Sequence, residues 1–375
     1  MLYMPLPHDQ FPDAEREILQ YEDFRVSAFR FPTGVAALRM INSAGQMTVL
    51  PYQGQQIWDF RMFGRRQTMK SMFSVPRANV PYLETYGGFL LHCGFSAMGG
   101  PGPDDDHPLH GELPNIAYDS AALTGGTDEY GPYLGVTGQV EYARAFGVHY
   151  RATPELRMYP RSGAIRVRFE AVNLNSVAME YMYLCHVNFL PHDNAELLYT
   201  APCDTEHVRV RSNIPSHLKV RQEYRDFLSG LAENPARHNV LAPDLPFNPE
   251  AVLFIDMQTD ASGYAHSLQR LPTGEGDFIS YRTDQLDHAV RWICRTGDQD
   301  GLGLVLPATA EPDGYSAEKE KGNVKLLAPG GRYSCDFLTG ALSAPATQRY
   351  EEHIAATLAG TGESLDPIGL DAKSY

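Results

Sequence analysis

The segment HPLHGELPN could carry acid–base or metal chemistry, because it concentrates histidine and carboxylate side chains within a few positions. His107, His110 and Glu112 supply nitrogen and oxygen donors at close spacing, a set typical of cupin-like metal sites. Alternatively, His110 alone presents an imidazole that titrates near neutral pH, above a glycine that gives a ligand close access. An acidic, proline-punctuated surface loop is the third interpretation, since residues 104–106 are all aspartate.

A second candidate histidine lies in the strand-like segment YLCHVNFL. Side chains alternate between the faces of a strand, so His186 shares a face with Leu184 and Asn188. A histidine in an apolar strand is commonly a core residue whose hydrogen bonds are satisfied. Asn188, however, makes a polar pair with His186. Such a pair inside an apolar strand indicates that this face of the strand lines a hydrated space.

Carboxylates and an aromatic side chain occur towards the end of the chain. The segment GLGLVLP runs into a polar, glycine-rich loop that contains Glu311 and Glu318. For Glu318 we favour a simple charged loop, whereas Glu311 is a candidate catalytic carboxylate. Trp292, on a strand just upstream, is either a core residue or a ring that stacks on a ligand.

Most of the chain shows the two-residue periodicity of half-buried antiparallel strands. In AIRVRFEAVNL, for example, Ile165, Val167 and Phe169 face one side, and Arg166 and Arg168 face the other. About a dozen such segments are separated by turn sequences such as INSAG and LAPGG. Many strands without alternating long helices predict an all-β antiparallel sandwich or barrel.

Two segments have the period of an amphipathic helix. In RQEYRDFLSGLAEN the apolar stripe comprises Tyr224, Phe227, Leu228 and Leu231. In TQRYEEHIAATLAG it comprises Tyr350, Ile354 and Leu358. We expect residues 1–345 to form a single domain, followed over residues 346–375 by a C-terminal helix and a polar tail.

The composition argues against several classes of partner. The net charge is −15 and no extended basic stripe occurs, so nucleic acid is not an expected partner. No run of about 18 apolar residues predicts a membrane span, and the first residues lack the pattern of a signal peptide. The five cysteines are widely spaced and form no CxxC pair, which is typical of reduced thiols in a cytoplasmic protein.

Four of these segments in order resemble the galactose mutarotase (aldose 1-epimerase) superfamily. Its members carry a histidine in an HG motif, a second histidine in a strand pattern like NHxYFNL, a strand with a glutamate followed by a proline, and LxPGxxY before the last strand. The chain has LHGELPN, CHVNFL, GLVLPATAEP and LLAPGGRY, spread over about positions 90 to 340. The likeness is to a little-characterised mutarotase-like branch, and it implies a large antiparallel β-sandwich with a few short helices.

The resemblance also implies an activity, the interconversion of sugar anomers without a cofactor. His186 would be the general acid, and His110 would hydrogen-bond the ring oxygen of the sugar. Pro307 stands where the family places its catalytic glutamate, so Glu311 is the nearest candidate for the base. We expect His110 and His186 to converge on one concave surface.

The candidate substrate-binding residues of this site are Asn188, Glu112, His92 and Trp292. His92 belongs to GGFLLHCGF, which stands where the family has an arginine–asparagine segment. The expected partner is a small-molecule sugar, with no nucleic acid or membrane, and a homodimer is compatible with the sequence. No metal is required, and we see no second cluster of ligands at metal spacing in the sequence.

Two other functions stay open at this point. A metal-dependent, cupin-like sugar isomerase would use His107, His110 and Glu112 as ligands. A non-catalytic carbohydrate-binding protein would keep the histidine pair but lack a base within reach of the anomeric hydroxyl.

Overall fold

A computed structural model describes residues 2–212, 214 and 220–372 of the chain, and most of this part is β-strand. In chain order the strands are β1 Leu2–Pro5, β2 Arg16–Tyr21, β3 Phe24–Arg30, β4 Ala36–Asn42, β5 Gly45–Leu50, β6 Gln56–Met62, β7 Arg65–Arg66, β8 Leu90–Phe95, β9 Ser120–Asp128, β10 Gly131–Ala143, β11 His149–Met158, β12 Ala164–Asn173, β13 Met179–Val187, β14 Glu196–Tyr199, β15 Val208–Val210, β16 Ala251–Ile255, β17 Tyr264–Arg270, β18 Gly276–Arg282, β19 His288–Arg295, β20 Asp300–Ala308, β21 Lys325–Leu327 and β22 Arg332–Leu342. The α-helices of the same residues are α1 Gln222–Glu233, α2 Tyr315–Lys321, α3 Ala344–Leu358 and α4 Gly369–Ala372.

Two antiparallel sheets contain these strands. The smaller sheet has nine strands within the described residues, in the order β1-β9-β10-β11-β12-β22-β18-β17-β14. The larger sheet of the same residues has thirteen, in the order β15-β16-β19-β20-β13-β8-β6-β5-β4-β3-β2, with β21 beside β13 and β7 beside β6. Strand content (44%) far exceeds helix content (13%), so the predicted all-β sandwich is confirmed.

The main core lies between the two sheets, and it explains the two-residue periodicity of the sequence. On β12, Ile165, Val167 and Phe169 are buried in this core beside residues of the other sheet. Arg166 and Arg168 alternate with them on the opposite face of the strand. Apolar side chains from two facing sheets thus bury one another, which is the arrangement that stabilises a sandwich.

Each sheet also has an outer face with its own cluster. On the larger sheet, the outer cluster includes Leu91, Leu184 and Trp292 from β8, β13 and β19. On the smaller sheet, Leu268 and Phe278 pack against Tyr350 and Ile354 of α3. The two outer faces are therefore separated by the main core and point in opposite directions.

The two predicted amphipathic helices are present. Tyr224, Phe227, Leu228 and Leu231 of α1 are all buried, as the stripe predicted. In α3, Tyr350 and Ile354 are buried, but the prediction that Leu358 shares their buried face is wrong. Leu358 is the last residue of the helix and is 42% exposed, because the helix ends there.

The last described residues, after α3, were expected to form a polar tail, but part of this segment packs against the domain. Helix α3 begins at Ala344, just before the boundary expected from the sequence. Beyond it, Ile368 is buried in the cluster beneath α3. No helix of residues 2–212, 214 and 220–372 is long and apolar enough to cross a membrane.

Candidate functional site

His186 lies near the end of β13 and points to the outer face of the larger sheet. Its neighbours Cys185 and Val187 point into the main core, so the strand alternation leaves His186 on the side of Leu184. The side chain is nevertheless almost fully buried, because loops cover this part of the outer face.

His110 comes to the same place from the long loop between β8 and β9. Its backbone is held at both ends, since its N–H donates to Gly99 O at 2.9 Å and its carbonyl accepts from Gly94 N–H at 2.8 Å. His110 and Gly111 both have positive φ, at 59° and 75°. This left-handed pair turns the loop back on itself and directs the imidazole towards β13.

The two imidazoles meet within a group of aromatic rings. The ring centroids of His110 and His186 are 5.5 Å apart, and the rings are nearly perpendicular. Tyr82 lies 5.1 Å from His110, and Trp292 lies 5.4 Å from His186. Tyr86 lies 5.7 Å from His186 and 6.1 Å from Trp292. We call Tyr82, Tyr86, His110, His186 and Trp292 the histidine–aromatic cluster.

Three polar atoms of this cluster are buried and lack a hydrogen-bond partner among the described residues. They are the Nδ1 atoms of His110 and His186 and the hydroxyl of Tyr82. Buried polar atoms are normally paired, because an unpaired one costs about 1–3 kcal/mol. Three of them in one cluster therefore make it the candidate binding site for a polar group.

Burial also determines the charge of the two histidines. Loss of water around the ring is the main cause that lowers the pKa of His110 to about 3, and the nearby His186 and Arg211 contribute to the same shift. Burial lowers the pKa of His186 to about 4, against a smaller opposing effect of the neighbouring Asn188 side chain. Both imidazoles are thus neutral at pH 7, each with one N–H donor and one lone pair. The sequence suggested a pKa nearer neutrality, and desolvation is the reason for the difference.

Asn188 and Glu250 hold two rings of the cluster in place through hydrogen bonds. Asn188 accepts a hydrogen bond from the Tyr86 hydroxyl at 3.0 Å and donates to Gly88 O at 2.9 Å. Its amide is therefore used in holding Tyr86, not free for a ligand. The indole N–H of Trp292 donates to the Glu250 carboxylate at 2.7 Å, and Arg211 donates to the other oxygen of that carboxylate.

Glu250 was not recognised from the sequence, although it is the carboxylate that hydrogen-bonds the cluster. It lies just before β16, in a segment whose proline-rich sequence reads as a loop. Tyr82, Tyr86 and Arg211 were also missed. Their positions follow from loop packing, and the sequence carries no local signal for them.

Glu311 lies elsewhere on the same outer face. A cavity of about 240 Å³ opens beside it, lined also by Arg209, Phe254 and His288. Arg209 donates to one Glu311 oxygen, and Lys321 donates to the other at 2.7 Å. The structure therefore gives Glu311 two cationic partners and no contact with His110 or His186.

The loop that holds Glu311 contains the short helix α2, which the sequence did not predict. Glu318 lies on this helix and is buried, so the interpretation as a simple charged loop is wrong for it. Its carboxylate accepts from Glu311 N–H at 2.8 Å and from Asn323 at 2.7 Å. Glu318 thus holds the loop in place.

Glu112 and His92 do not join the cluster. Glu112 accepts hydrogen bonds from the backbone N–H and the hydroxyl of Ser96, both at 2.9 Å, and from the Tyr150 hydroxyl at 2.7 Å. His92 lies opposite Cys185 in the strand register and points into the main core, where its Nδ1 is 2.7 Å from the Tyr183 hydroxyl. The polar groups of both side chains thus hydrogen-bond other parts of the protein, away from the cluster.

The alternative of a cupin-like metal site at His107, His110 and Glu112 is not supported by the geometry. Among the residues that the structure describes, the ligand atoms of these three side chains do not gather within 4.8 Å of one another. His107 Nδ1 instead contacts Pro108 O at 2.9 Å, and its Nε2 accepts from Tyr315 N–H at 3.3 Å.

Comparison with solved structures shows which fold this is. A candidate aldose 1-epimerase from Klebsiella pneumoniae has a TM-score of 0.78 at 19% identity, and the match covers 98% of both chains. A galactose mutarotase-like protein from Clostridium acetobutylicum has a TM-score of 0.57 at 11% identity, covering 86% of this chain and 99% of the other. A galactose mutarotase-like protein from Lactobacillus casei has a TM-score of 0.53 at 12% identity, covering 81% and 99%.

Sequence comparison leads to a family without an assigned activity. No curated protein matches the chain. The model of one family, described as a domain of unknown function (DUF4432), matches residues 32–339. The chain therefore belongs to the DUF4432 family, and its fold is that of the galactose mutarotase-like proteins.

Proposed function

We propose that the protein binds a monosaccharide at the histidine–aromatic cluster and interconverts its anomers. The observation that carries this proposal is the meeting of two imidazoles from separate elements, 5.5 Å apart, each with an unpartnered Nδ1. Small-molecule sites commonly combine apolar and aromatic walls with a few convergent polar groups. Aromatic faces pack against the C–H surface of a sugar, while the imidazoles and the Tyr82 hydroxyl meet its oxygens.

The chemistry requires only proton transfer. As the bond between C1 and the ring oxygen breaks, protonated His186 gives a proton to the ring oxygen, and a base takes the proton of the anomeric hydroxyl. The resulting aldehyde rotates about its C1–C2 bond, and the reverse transfers close the ring on the other face. His110 would donate a hydrogen bond to the ring oxygen throughout, and no cofactor takes part.

We assign the base to Glu250 and not to Glu311. Glu250 hydrogen-bonds Trp292 of the cluster, whereas Glu311 is paired with Arg209 and Lys321 beside a different cavity. A base must come within hydrogen-bond reach of the proton that it removes. Of these two carboxylates, only Glu250 contacts a cluster residue.

The test is anomer exchange, measured by NMR or polarimetry on a panel of aldoses and uronates. We expect His186→Ala and Glu250→Gln each to lower the catalysed rate by about 100-fold or more, the contribution of one acid or base. Glu311→Gln is the matched control and should leave the rate within a few-fold of wild type. An unchanged rate in His186→Ala would refute the mechanism.

The pH dependence of the same rate provides a further check. The pKa of His186 is about 4, so the imidazolium that donates the proton is scarce at pH 7. Lowering the pH from 8 to 5 populates it further, and the catalysed rate should therefore rise. A rate that falls steadily over this range would remove His186 from the acid role.

A non-catalytic carbohydrate-binding protein is the second candidate. Arg211 and Trp292 both donate to Glu250, and hydrogen bonds to the charged form of a carboxylate weaken it as a base. In that case calorimetry would detect sugar binding that His110→Ala and His186→Ala weaken, while anomer exchange would proceed at the uncatalysed rate.

A further inference from the structure

We propose that Asp260, His266 and His353 bind a divalent transition-metal ion, with Zn²⁺ as the ion that these donors suit best. Asp260 lies just before β17, His266 lies on β17, and His353 lies on α3. We call these three residues the His2Asp cluster. Two imidazoles and one carboxylate are a recurrent protein ligand set for Zn²⁺, with the fourth position left to water.

The distances within the cluster match those around a metal ion. Asp260 Oδ2 is 3.1 Å from His266 Nε2 and 3.3 Å from His353 Nε2. The two Nε2 atoms are 3.1 Å apart. Ligands about 2.0–2.1 Å from a tetrahedral Zn²⁺ lie roughly 3.3–3.4 Å from one another. The three atoms therefore form a nearly regular triangle of about the required size.

Hydrogen bonds alone cannot satisfy this triangle. Two of its contacts have hydrogen-bond geometry, and both involve His266 Nε2, which carries at most one hydrogen. If both Nε2 atoms are protonated, their hydrogens oppose each other across 3.1 Å. If one is bare, its lone pair faces the Asp260 carboxylate. A cation between the three atoms satisfies every contact at once.

The surrounding groups hold the ligand atoms in position. Asp260 Oδ1 accepts from Ser262 N–H, the Ser262 hydroxyl and Tyr264 N–H at 2.7–3.1 Å, so that Oδ2 is left for the histidines. His266 Nδ1 lies 3.2 Å from the Tyr350 hydroxyl, which donates to Ile279 O at 3.1 Å. Metal-ligating histidines almost always have such a partner on their second nitrogen, because it fixes the ring orientation.

At this location a bound ion would act on the packing of the fold and not on the proposed sugar. The side chains of Asp260 and His266 are almost completely buried, and that of His353 is 9% exposed. The cluster lies under α3 on the outer face of the smaller sheet, so the main core separates it from the histidine–aromatic cluster. A bound ion would therefore link α3 to β17 through its ligands and would not contact the proposed sugar. The sequence did not suggest this site, because β17 and α3 lie far apart along the chain.

The experiment uses the full chain, stripped with a chelator and dialysed. We expect Zn²⁺ titration by calorimetry to show one equivalent bound, Co²⁺ to give the visible absorption bands of a tetrahedral site, and Zn²⁺ to raise the Tm by several degrees. His353→Gln and Asp260→Asn should each weaken Zn²⁺ binding by at least 100-fold.

Asp313→Asn serves as the matched control. Asp313 belongs to a second group, with Glu311 and Glu318, whose ligand atoms also lie close together but already have a cation among them, since all three carboxylates pair with Lys321. This variant should bind Zn²⁺ as the wild type does. A stripped wild-type protein that takes up no Zn²⁺ or Co²⁺, or binding that is lost in Asp313→Asn and kept in His353→Gln, overturns the proposal. The wild-type titration decides the matter even if a ligand variant fails to fold.

Discussion

At the scale of single residues, the site depends on how the backbone presents His110. His110 and Gly111 are consecutive residues with positive φ, and backbone hydrogen bonds to Gly94 and Gly99 hold the turn. A histidine tolerates this conformation at some cost, whereas a glycine adopts it freely. The steric demand is therefore concentrated at Gly111.

Gly111→Ala should destabilise the protein and displace His110. A Cβ at this position would lie 2.2 Å from Ala97 O and 2.5 Å from Gly94 O, and the φ of 75° is unfavourable for alanine. We expect a loss of about 2–3 kcal/mol in the free energy of unfolding, measured by urea denaturation.

The matched control for this change is Gly100→Ala in the same loop. A Cβ at Gly100 would meet no atom within 4 Å, so the stability should change by less than about 0.5 kcal/mol. Equal effects of the two substitutions would show that the turn at Gly111 has no special steric requirement.

At the scale of elements, α3 connects the end of the domain to the smaller sheet. Tyr350 and Ile354 bury one side of the helix against Leu268 and Phe278. The helix starts at a capping residue, since the Ser343 hydroxyl accepts a hydrogen bond from Ala346 N–H. Such a cap satisfies one of the backbone N–H groups that the first turn leaves unpaired.

Ser343→Ala should lower the free energy of unfolding by about 1 kcal/mol, because it removes the cap. Ser343→Asn should retain most of the stability, since asparagine is an equally good N-cap residue. Chemical denaturation of both variants gives the comparison. If the asparagine variant is no more stable than the alanine variant, the cap does not contribute as proposed.

At the scale of the whole molecule, the sandwich buries several histidines in neutral form. Burial lowers the pKa of His92 and of His238 to about 3, as it does for His110. In the unfolded chain these groups titrate near 6.5. As the pH falls below 6.5 the unfolded state takes up protons that the folded state does not, so stability is lost progressively down to about pH 3.

His92 provides the cleanest test of this acid sensitivity, because desolvation alone lowers its pKa. Between pH 7.5 and pH 4.5 the wild type should lose about 3 kcal/mol of stability through this one group, at about 1.4 kcal/mol per pH unit below pH 6.5. His92→Asn should lose correspondingly less over the same range. A His92→Asn curve parallel to that of the wild type would contradict this expectation.

The sequence alone determined the architecture and part of the site. Alternation of apolar and polar residues is a local property of a strand, so segments such as AIRVRFEAVNL predicted the sandwich without reference to other parts of the chain. The stripe of α1 was predictable for the same reason. The order of the family-like segments indicated that His110 and His186 belong to one site, and their rings do meet.

Only the tertiary structure decided which other groups share that site. Glu311 follows β20 closely in sequence, yet Arg209 and Lys321 hold it beside another cavity, while Glu250 reaches Trp292 across neighbouring strands. The His2Asp cluster likewise exists only because α3 packs onto β17. These contacts join residues distant in sequence, and their geometry depends on how loops and helices pack, which no local pattern of residues encodes.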